Sequence, residues 1–270
     1  MVHSQQKNTF QVDSELFQQA QQGNAQAIEQ LLTFVQPQLY RYSMQMCRHP
    51  EDAEDNLQDV LLAVARSIST YRGDASFSTW LYTIARNACA KRRKRERTAA
   101  ALHEDMTTAI ENVTENTPGP EEQIALAEQI NNLHDAMQRL APEYREIMIL
   151  RDVQDLSAKD VAAITGLSIP AVKSRLHRAR ALVRQWLAEK PYEQQPNCPD
   201  IRTLFSQHLE GDLADDFCAN MQKHVDSCPH CAAECEGLRD ILHTCKEYSC
   251  DLPPSSQRRI RNSIRTTLNS

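Results

Sequence analysis

Apolar side chains recur along this chain at steps of three and four, the period of a helix with one buried face; clear strand alternation is missing. Leu16, Phe17 and Ala20 make a short stripe that stops at Gly23, with Asp13 placed to cap its start. Asn24 starts the next, with Ala27, Leu31, Leu32 and Val35; Leu39, Tyr42 and Met46 continue it past a kink expected at Pro37. Ala53, Leu57, Val60, Leu61, Val64 and Ile68 form a third stripe. Phe77, Trp80, Leu81, Ile84, Ala85 and Ala88 form a fourth, after a break at Tyr71-Arg72-Gly73-Asp74. With only six glycines in 270 residues, the pattern predicts an all-α protein.

From Thr98 onward aromatic residues vanish, acids accumulate, and Pro118-Gly119-Pro120 breaks the chain, as in a linker. Pro120 suits the first position of a helix over 121–139. After Leu140-Ala141-Pro142 comes a helix bearing Ile147, Met148 and Leu150. Ser157 then caps a helix with Val161, Ala162 and Ile164, Gly166 makes a turn, and Ser168 caps another helix with Pro170 in its first turn. That is the spacing of a helix-turn-helix, whose second helix enters the DNA major groove. Its exposed side chains, Lys173, Ser174, Arg175, His177, Arg178 and Arg180, are suited to phosphate and base-edge contacts. Beyond Pro196, a helix with Ile201, Leu204, Phe205 and Leu209 ends at Gly211, a second approaches His224, and a third starts near Cys231 with Leu238, Ile241 and Leu242. In the last stretch Ile260, Ile264 and Leu268 alternate with Arg258, Arg259, Arg261 and Arg265. Such a helix could dock on the preceding modules, touch DNA or remain a solvated tail.

The net charge of −6 looks wrong for a DNA-binding protein until it is divided. Residues 1–98 carry +2, 99–135 carry −8, 136–190 carry +4, 191–255 carry −8 and 256–270 carry +4. Basic modules alternate with acidic ones, and an acidic segment beside a DNA-binding one can compete with phosphate for the same cations. No stretch approaches the roughly 20 apolar residues that span a bilayer. The N-terminus MVHSQQKN has no signal-peptide core, so a soluble cytoplasmic protein without a membrane partner is expected. No paired carboxylates, nucleophile–base set or phosphate loop is evident, which argues against an enzyme.

Two of these regions carry patterns long enough to compare with a known family. Glu51, Asp52, Glu54, Asp55 and Asp59 crowd the first turns of the third stripe, where negative charge suits a helix N-terminus. The fourth stripe runs into Lys91-Arg92-Arg93-Lys94-Arg95, with Arg86 and Arg97 on either side. An acidic face near a basic, aromatic-edged one suggests a protein partner and a nucleic-acid partner, although such a run alone is usually a solvated face. The strings DAEDNLQDVLLAV (Asp52–Val64) and YRGDASFSTWLYTIARNACAKRRKR (Tyr71–Arg95) resemble region 2 of the bacterial extracytoplasmic-function (ECF) sigma factors. The resemblance implies that the helix from Asp52, through Asp52, Asp55, Gln58 and Asp59, binds the clamp helices of core RNA polymerase. It also implies that the Arg72–Thr79 loop and the helix from Trp80 melt and hold the −10 promoter strand, with Arg72, Trp80, Arg86, Lys91, Arg92 and Arg93 on the DNA. Asn56, Leu61 and Ala65 stand where the family more often has an aliphatic residue, Phe and Trp. The segment Leu140–Leu187 resembles ECF sigma region 4, the reader of the −35 element, with Ile169-Pro170-Ala171 departing from the family's small or Gly-containing turn.

Cysteine is crowded into the C-terminal part. Cys47 and Cys89 stand alone, while Cys198, Cys218, Cys228, Cys231, Cys235, Cys245 and Cys250 fall within 53 residues. Without a secretory signal, such a cluster favours metal or redox chemistry over a disulfide scaffold. His224-x3-Cys228-x2-Cys231 puts two ligands at a helix end and two about a turn at Pro229; with Cys198 they suit tetrahedral Zn²⁺. The same spacing is similar to the zinc-binding anti-sigma domain, here fused behind its own target, and the chain looks like the metal-responsive, CorE-like ECF sigma factors. Zinc that merely ties a small domain together remains an alternative, since a core of about 60 residues is marginal unaided. Cys235, Cys245 and Cys250 are surplus, as additional ligands for a sensed ion such as Cu or Cd²⁺, as an oxidisable thiol pair, or as buried spectators.

The expected organisation is sigma region 2 over 10–98, a linker over 99–119, sigma region 4 over 120–190, a zinc-binding regulatory domain over 197–252 and a basic amphipathic tail over 253–270. The expected function is transcription initiation with core RNA polymerase at specific promoters. The acidic C-terminal module would pack on a basic DNA-binding face, and metal or oxidation would shift the closed–open balance. A metal-buffering protein and a DNA-binding regulator working without core polymerase are the alternatives.

Overall fold

The computed structural model describes residues 12–47, 49–102, 121–188, 196, 198–248 and 250–268, with side chains described for these apart from 96–102 and 121–127. Most of the expected linker, including Pro118-Gly119-Pro120, lies outside the described residues, as does the Arg97 side chain. Among the described residues every regular element is helical, and they fall into two units.

One unit takes residues 12–72, 81–129 and 252–270. Asp13 caps α1 (Ser14–Gln21) and Asn24 caps α2 (Ala25–Met46), each side chain accepting a backbone N–H three residues on. α2 continues through Pro37 for 22 residues. The Pro37 ring removes one donor, but Leu31, Leu32, Val35 and Leu39 around it are fully buried, and that packing holds the helix on both sides. α3 (Pro50–Ser67) begins with Pro at its first position and Glu51 and Asp52 in its first turn. Its buried face, Ala53, Leu57, Val60, Leu61 and Val64, packs on α2, and Leu81, Tyr82 and Ala85 of α4 (Phe77–Leu102) are equally buried. Each buried Leu or Val among them contributes about 1.5–3 kcal/mol by leaving water. The Tyr42 and Tyr82 rings meet edge to face at 5.6 Å.

The three region 2 departures, Asn56, Leu61 and Ala65, fall inside this core. Asn56 is buried and donates from Nδ2 to Ser43 Oγ at 2.9 Å, while Leu61 and Ala65 are buried as well. They alter how α3 packs on α2, not which groups α3 exposes. The last helix, here called α12 (Pro254–Leu268), also belongs to this unit. Its Ile260 and Ile264 are buried, and it packs on α3 and α2.

The other unit takes residues 73–80 and 130–251. It contains the end of α5 (Glu121–Arg139), then α6 (Pro142–Met148), which passes into a π-turn at Ile149–Val153. Ser157 caps α7 (Ala158–Thr165), Gly166 takes φ +74° at its end, and Ser168 caps α8 (Ile169–Leu187). Val172, Leu176, Ala179 and Val183 give α8 its buried face. Asp200 caps α9 (Ile201–Leu209), and α10 (Asp215–Ser227) and α11 (Pro229–Glu247) complete a small bundle around Ile201, Phe205, Met221, Val225, Cys235 and Leu238. α9 and α11 both pack against α8.

Candidate nucleic-acid interface and metal centre

The capping serines and Gly166 set α7 and α8 as a helix-turn-helix, with α8 as its second helix. Ser174 and Arg178 are exposed there, and Lys173, Arg175 and His177 are half-buried. Arg180 corrects the sequence-based expectation of an exposed cation, because it is only 4 % exposed. Its Nε and Nη2 donate to Asp152 Oδ2 and Oδ1 at 2.9 and 2.6 Å, a two-pronged pair closing the π-turn onto α8. Position 180 follows Leu176 by four, on the edge of the apolar stripe, so the helix period turns it inward.

The side of α8 that carries Lys173, His177 and Arg180 is covered by α9 and the turn after it. Arg180 Nη1 also donates to Ser206 Oγ at 2.9 Å, and His177 Nδ1 lies 2.7 Å from the same hydroxyl. Glu210 accepts from Arg151 Nη2 at 2.8 and 2.7 Å and from Arg180 Nη2 at 3.2 Å. Lys173 Nζ donates to the Glu210 carbonyl at 3.1 Å and pairs with the Asp212 carboxylate. Further along, Glu234 of α11 accepts from Arg184 at 3.2 Å and from Arg202 at 2.7 Å; Gly237 leaves the room in which the Arg184 guanidinium lies. Burial first, then the Arg180 charge, hold His177 below the ordinary imidazole value, against the pull of Glu210 and Asp212. Sequence reasoning names Lys173, His177 and Arg180, but not Arg151, Arg184 and Arg202 or the partners Ser206, Glu210, Asp212 and Glu234. The −8 balance of residues 191–255 was the available signal.

Cys198, His224, Cys228 and Cys231 converge, and their donor atoms all lie within 4.8 Å of one another. Cys198 precedes α9, His224 lies in the last turn of α10, and Cys228 both closes α10 and opens α11, which places Cys231 one turn on. Cys198 Sγ and Cys228 Sγ are 3.7 Å apart, and His224 Nε2 is 3.3 Å from Cys231 Sγ. A tetrahedral ion with metal–sulfur bonds of about 2.3 Å sets its sulfurs about 3.8 Å apart, so the donors stand at the edges of such a shell. Backbone N–H groups of Cys231 and His230, at the start of α11, point at Cys228 and lower its pKa. Burial, together with the neighbouring thiols, pushes Cys231 up to about 12. Three thiols and an imidazole in this arrangement make a metal site. Among the described residues, Cys235, Cys245 and Cys250 do not join this group; burial raises the pKa of Cys235 and Cys245.

The residues that the resemblance implies for polymerase and the −10 strand lie mainly on α3 and α4, in the other unit apart from Trp80, which falls within residues 73–80. Arg72 and Lys91 are exposed, and Arg86 and Arg93 are half-buried; Trp80, placed at the start of α4, stacks on Phe77 at 5.9 Å between ring centroids. Arg92 pairs with Asp52 and approaches Asp55 at 3.6 Å, so a cation expected on DNA joins two carboxylates expected on polymerase. Asp59 is exposed. Gln58 donates to Ser263 Oγ of α12 at 3.0 Å, while neighbouring Glu54 accepts from Ser256 at 2.6 Å and Arg259 at 2.7 Å. Arg265 of α12 reaches Glu29 at 2.8 Å. Cys47 and Cys89, far apart in sequence, share a hydrogen bond here.

Three family profiles match the chain: Sigma-70 region 2 over residues 31–98, Sigma-70, region 4 over 130–183, and "Putative zinc-finger" over 198–232. The ECF RNA polymerase sigma factor SigM of Mycobacterium tuberculosis is 34 % identical over 178 residues, 65 % of this chain and 84 % of that protein. The RNA polymerase sigma factor CarQ of Myxococcus xanthus is 32 % identical over 173 residues, 63 % of this chain and 95 % of that protein. Among solved structures, the sigma factor RpoE from Bartonella quintana, crystallised with the anti-sigma factor NepR, is 25 % identical with a TM-score of 0.46. That match covers 60 % of this chain and 97 % of the other. The chain belongs to the ECF RNA polymerase sigma factors, with a zinc-finger-type domain following its two sigma regions.

Proposed function

We propose that this sigma factor brings core RNA polymerase to its promoters only when its own C-terminal segment has been lifted from the two sigma regions. The observation that carries this reading is the pairing of Glu210 and Asp212 with Arg151, Lys173 and Arg180 on and beside α8. Of these cations Lys173 is one that phosphate would otherwise take, and Asp212 and a phosphate cannot both hold it at once, while Glu210 anchors the acidic turn on Arg151 and Arg180. α12 acts similarly on α3, engaging Glu54 and Gln58 next to the carboxylates Asp55 and Asp59 that face the polymerase clamp. The −10 strand is held by Arg72, Trp80, Arg86, Lys91 and Arg93; the −35 element is read by Lys173, Ser174, Arg175, His177 and Arg178. Arg92 and Arg180 instead hold their own modules together.

The ion at Cys198, His224, Cys228 and Cys231 is zinc, which favours four-coordinate tetrahedral shells of thiolate and imidazole. It fixes the start of α9 to α10 and α11, and so sets where Glu210 and Asp212 fall. Loss of the ion or oxidation of its thiols frees the acidic turn, shifting the equilibrium toward the open form in proportion to the difference in ion affinity between the two. The protein works in the cytoplasm as an initiation factor and is not itself an enzyme.

Run-off transcription with core polymerase tests the reading. The full chain with its metal bound should initiate weakly, and the same chain after chelation or mild thiol oxidation should initiate strongly. Equal activity in all states would remove the switch, and no initiation with core polymerase in any state would remove the sigma-factor role.

A further inference from the structure

Two thiols lie together far from the four-donor centre in sequence, both in the unit formed by residues 12–72, 81–129 and 252–270. Cys47 closes α2, where its backbone N–H donates to the Ser43 carbonyl at 2.8 Å, and its side chain is half-buried. Cys89 continues the inward face of α4 from Tyr82 and Ala85, at steps of three and four, and is only 2 % exposed. The Tyr42–Tyr82 ring contact sets α2 against α4 earlier along both helices, and beyond it the two thiols share a hydrogen bond. Asn56 of α3 completes the cluster. Its Nδ2 donates to Ser43 Oγ at 2.9 Å, and the same amide donates to the Cys89 sulfur, so this buried amide is satisfied by a hydroxyl and a thiol. The hydrogen bond with Cys47, then burial, hold the Cys89 thiol well above its ordinary value, while Arg93 and Asn56 pull the other way. Arg92, which pairs with Asp52, also interacts electrostatically with Cys47. A cation beside a partly exposed thiol favours the thiolate, the nucleophilic form.

We infer that Cys47 and Cys89 form a dithiol oxidation site within region 2, which takes a small hydroperoxide as its oxidant and closes to a reversible disulfide. A small oxidant suits a pair of which one sulfur is half-buried and the other enclosed. The Cys47 sulfur attacks one peroxide oxygen; the O–O bond breaks, Cys47 becomes a sulfenic acid, and its proton goes to the departing oxygen, which leaves as water or an alcohol. The Cys89 sulfur then attacks the Cys47 sulfur. An S–S bond forms, the S–O bond breaks, and the hydroxyl departs as water with the Cys89 proton. The two thiols lose two electrons and the peroxide gains them. Asn56 steadies the negative charge that gathers on Cys89 in the second step. The new bond ties the end of α2 to α4 within one turn of Arg92 and Arg93, and it uses none of the zinc ligands. The site stands on the region 2 geometry alone and is independent of the closed–open reading.

Hydrogen peroxide added to the zinc-loaded full chain tests it, with the remaining thiols alkylated and the peptides mapped by mass spectrometry. A Cys47–Cys89 crosslink should form before zinc is released, and dithiothreitol should reverse it. Asn56→Leu, which keeps the side chain's size and removes its amide, should slow closure by about threefold and let the Cys47 sulfenic acid accumulate, as trapped by dimedone. Cys47→Ser, at the half-buried position, should abolish both the crosslink and the trapped sulfenic acid. Zinc content and circular dichroism report whether each variant is folded, and the wild-type map decides the matter whatever the variants do. Cys47 and Cys89 both still alkylated after peroxide has displaced the zinc, or Cys47 joined only to cysteines of the C-terminal part, would overturn the site. Closure as fast as the wild type in folded Asn56→Leu would overturn the part given to Asn56.

Discussion

Glu210 accepts two hydrogen bonds from a single nitrogen of Arg151, at 2.8 and 2.7 Å, and its side chain is only 3 % exposed. It is thereby committed to cations of the helix-turn-helix module, since the same carboxylate also reaches Arg180. A charge so enclosed is retained only because its partners neutralise it. The acidic turn after α9 is therefore a fitted part of the region 4 surface.

Arg180 and Arg178, two positions apart, should behave differently when mutated. Arg180→Ala leaves Asp152 and part of Glu210 buried without a partner, and should cost about 3–5 kcal/mol of stability in urea denaturation. Arg178→Ala, at an exposed site, should change stability by no more than about 0.5 kcal/mol. With promoter DNA accessible, the Arg178 variant should bind more weakly and lower the salt slope by about one.

That contrast marks where sequence reading stops. The apolar stripes, the capping Asp13, Asn24, Ser157 and Ser168 and the turn at Gly166 are local signals, and the helices that they predict are present. The convergence of Cys198, His224, Cys228 and Cys231 followed from spacing about one helix end. For Arg180 the period places it on the edge of the apolar stripe, but its partner Asp152 lies 28 residues away, so the buried pair is not legible locally. The sequence allows α12 to dock, touch DNA or stay solvated, because the partners that settle its place on α3, Glu54 and Ser256, are 202 residues apart. Gln58 and Arg92 could be named from a family pattern, but not the side chains that engage them.

On the face proposed for polymerase, Ile260 and Ile264 are the apolar anchors of α12. Ile260→Ala should loosen the helix by about 2 kcal/mol or more. Binding of core polymerase should then tighten by up to about 30-fold, if α12 and the clamp compete for α3. Fluorescence anisotropy with labelled protein reads this directly, and unchanged affinity would show that α12 does not cover the clamp-binding face.

Acidification should open the contact between α8 and α9. His177 has a lowered pKa there, so the packed form favours the neutral ring, and its contribution is complete above the ordinary value of about 6.5. As pH falls below that value and through the lowered pKa, the free form takes up the proton first and the contact loses stability. Lys173 and Arg180 oppose a charged ring, Glu210 and Asp212 favour it, and burial decides the sign. Hydrogen exchange over residues 201–212 should rise between pH 7 and pH 5 in the wild type, and much less in His177→Gln.

Chelation of the metal should lower the melting temperature of the C-terminal bundle. Binding to the folded form alone contributes about 2.7 kcal/mol when the free ion is 100 times its Kd. The thiols must give up their protons to bind the ion, so the stabilisation should weaken as pH falls. Cys228→Ser should melt at the temperature of the chelated wild type whether or not the ion is added.

The central claim, that Asp212 stands in for DNA phosphate at Lys173, is tested most directly by the affinity of the full-length Asp212→Asn protein for a −35 promoter duplex, measured across a salt series beside the wild type. The account predicts tighter binding and a steeper decline with salt, by close to one further counterion, as Lys173 becomes free to meet a phosphate. Identical affinity and slope in the two proteins would contradict it.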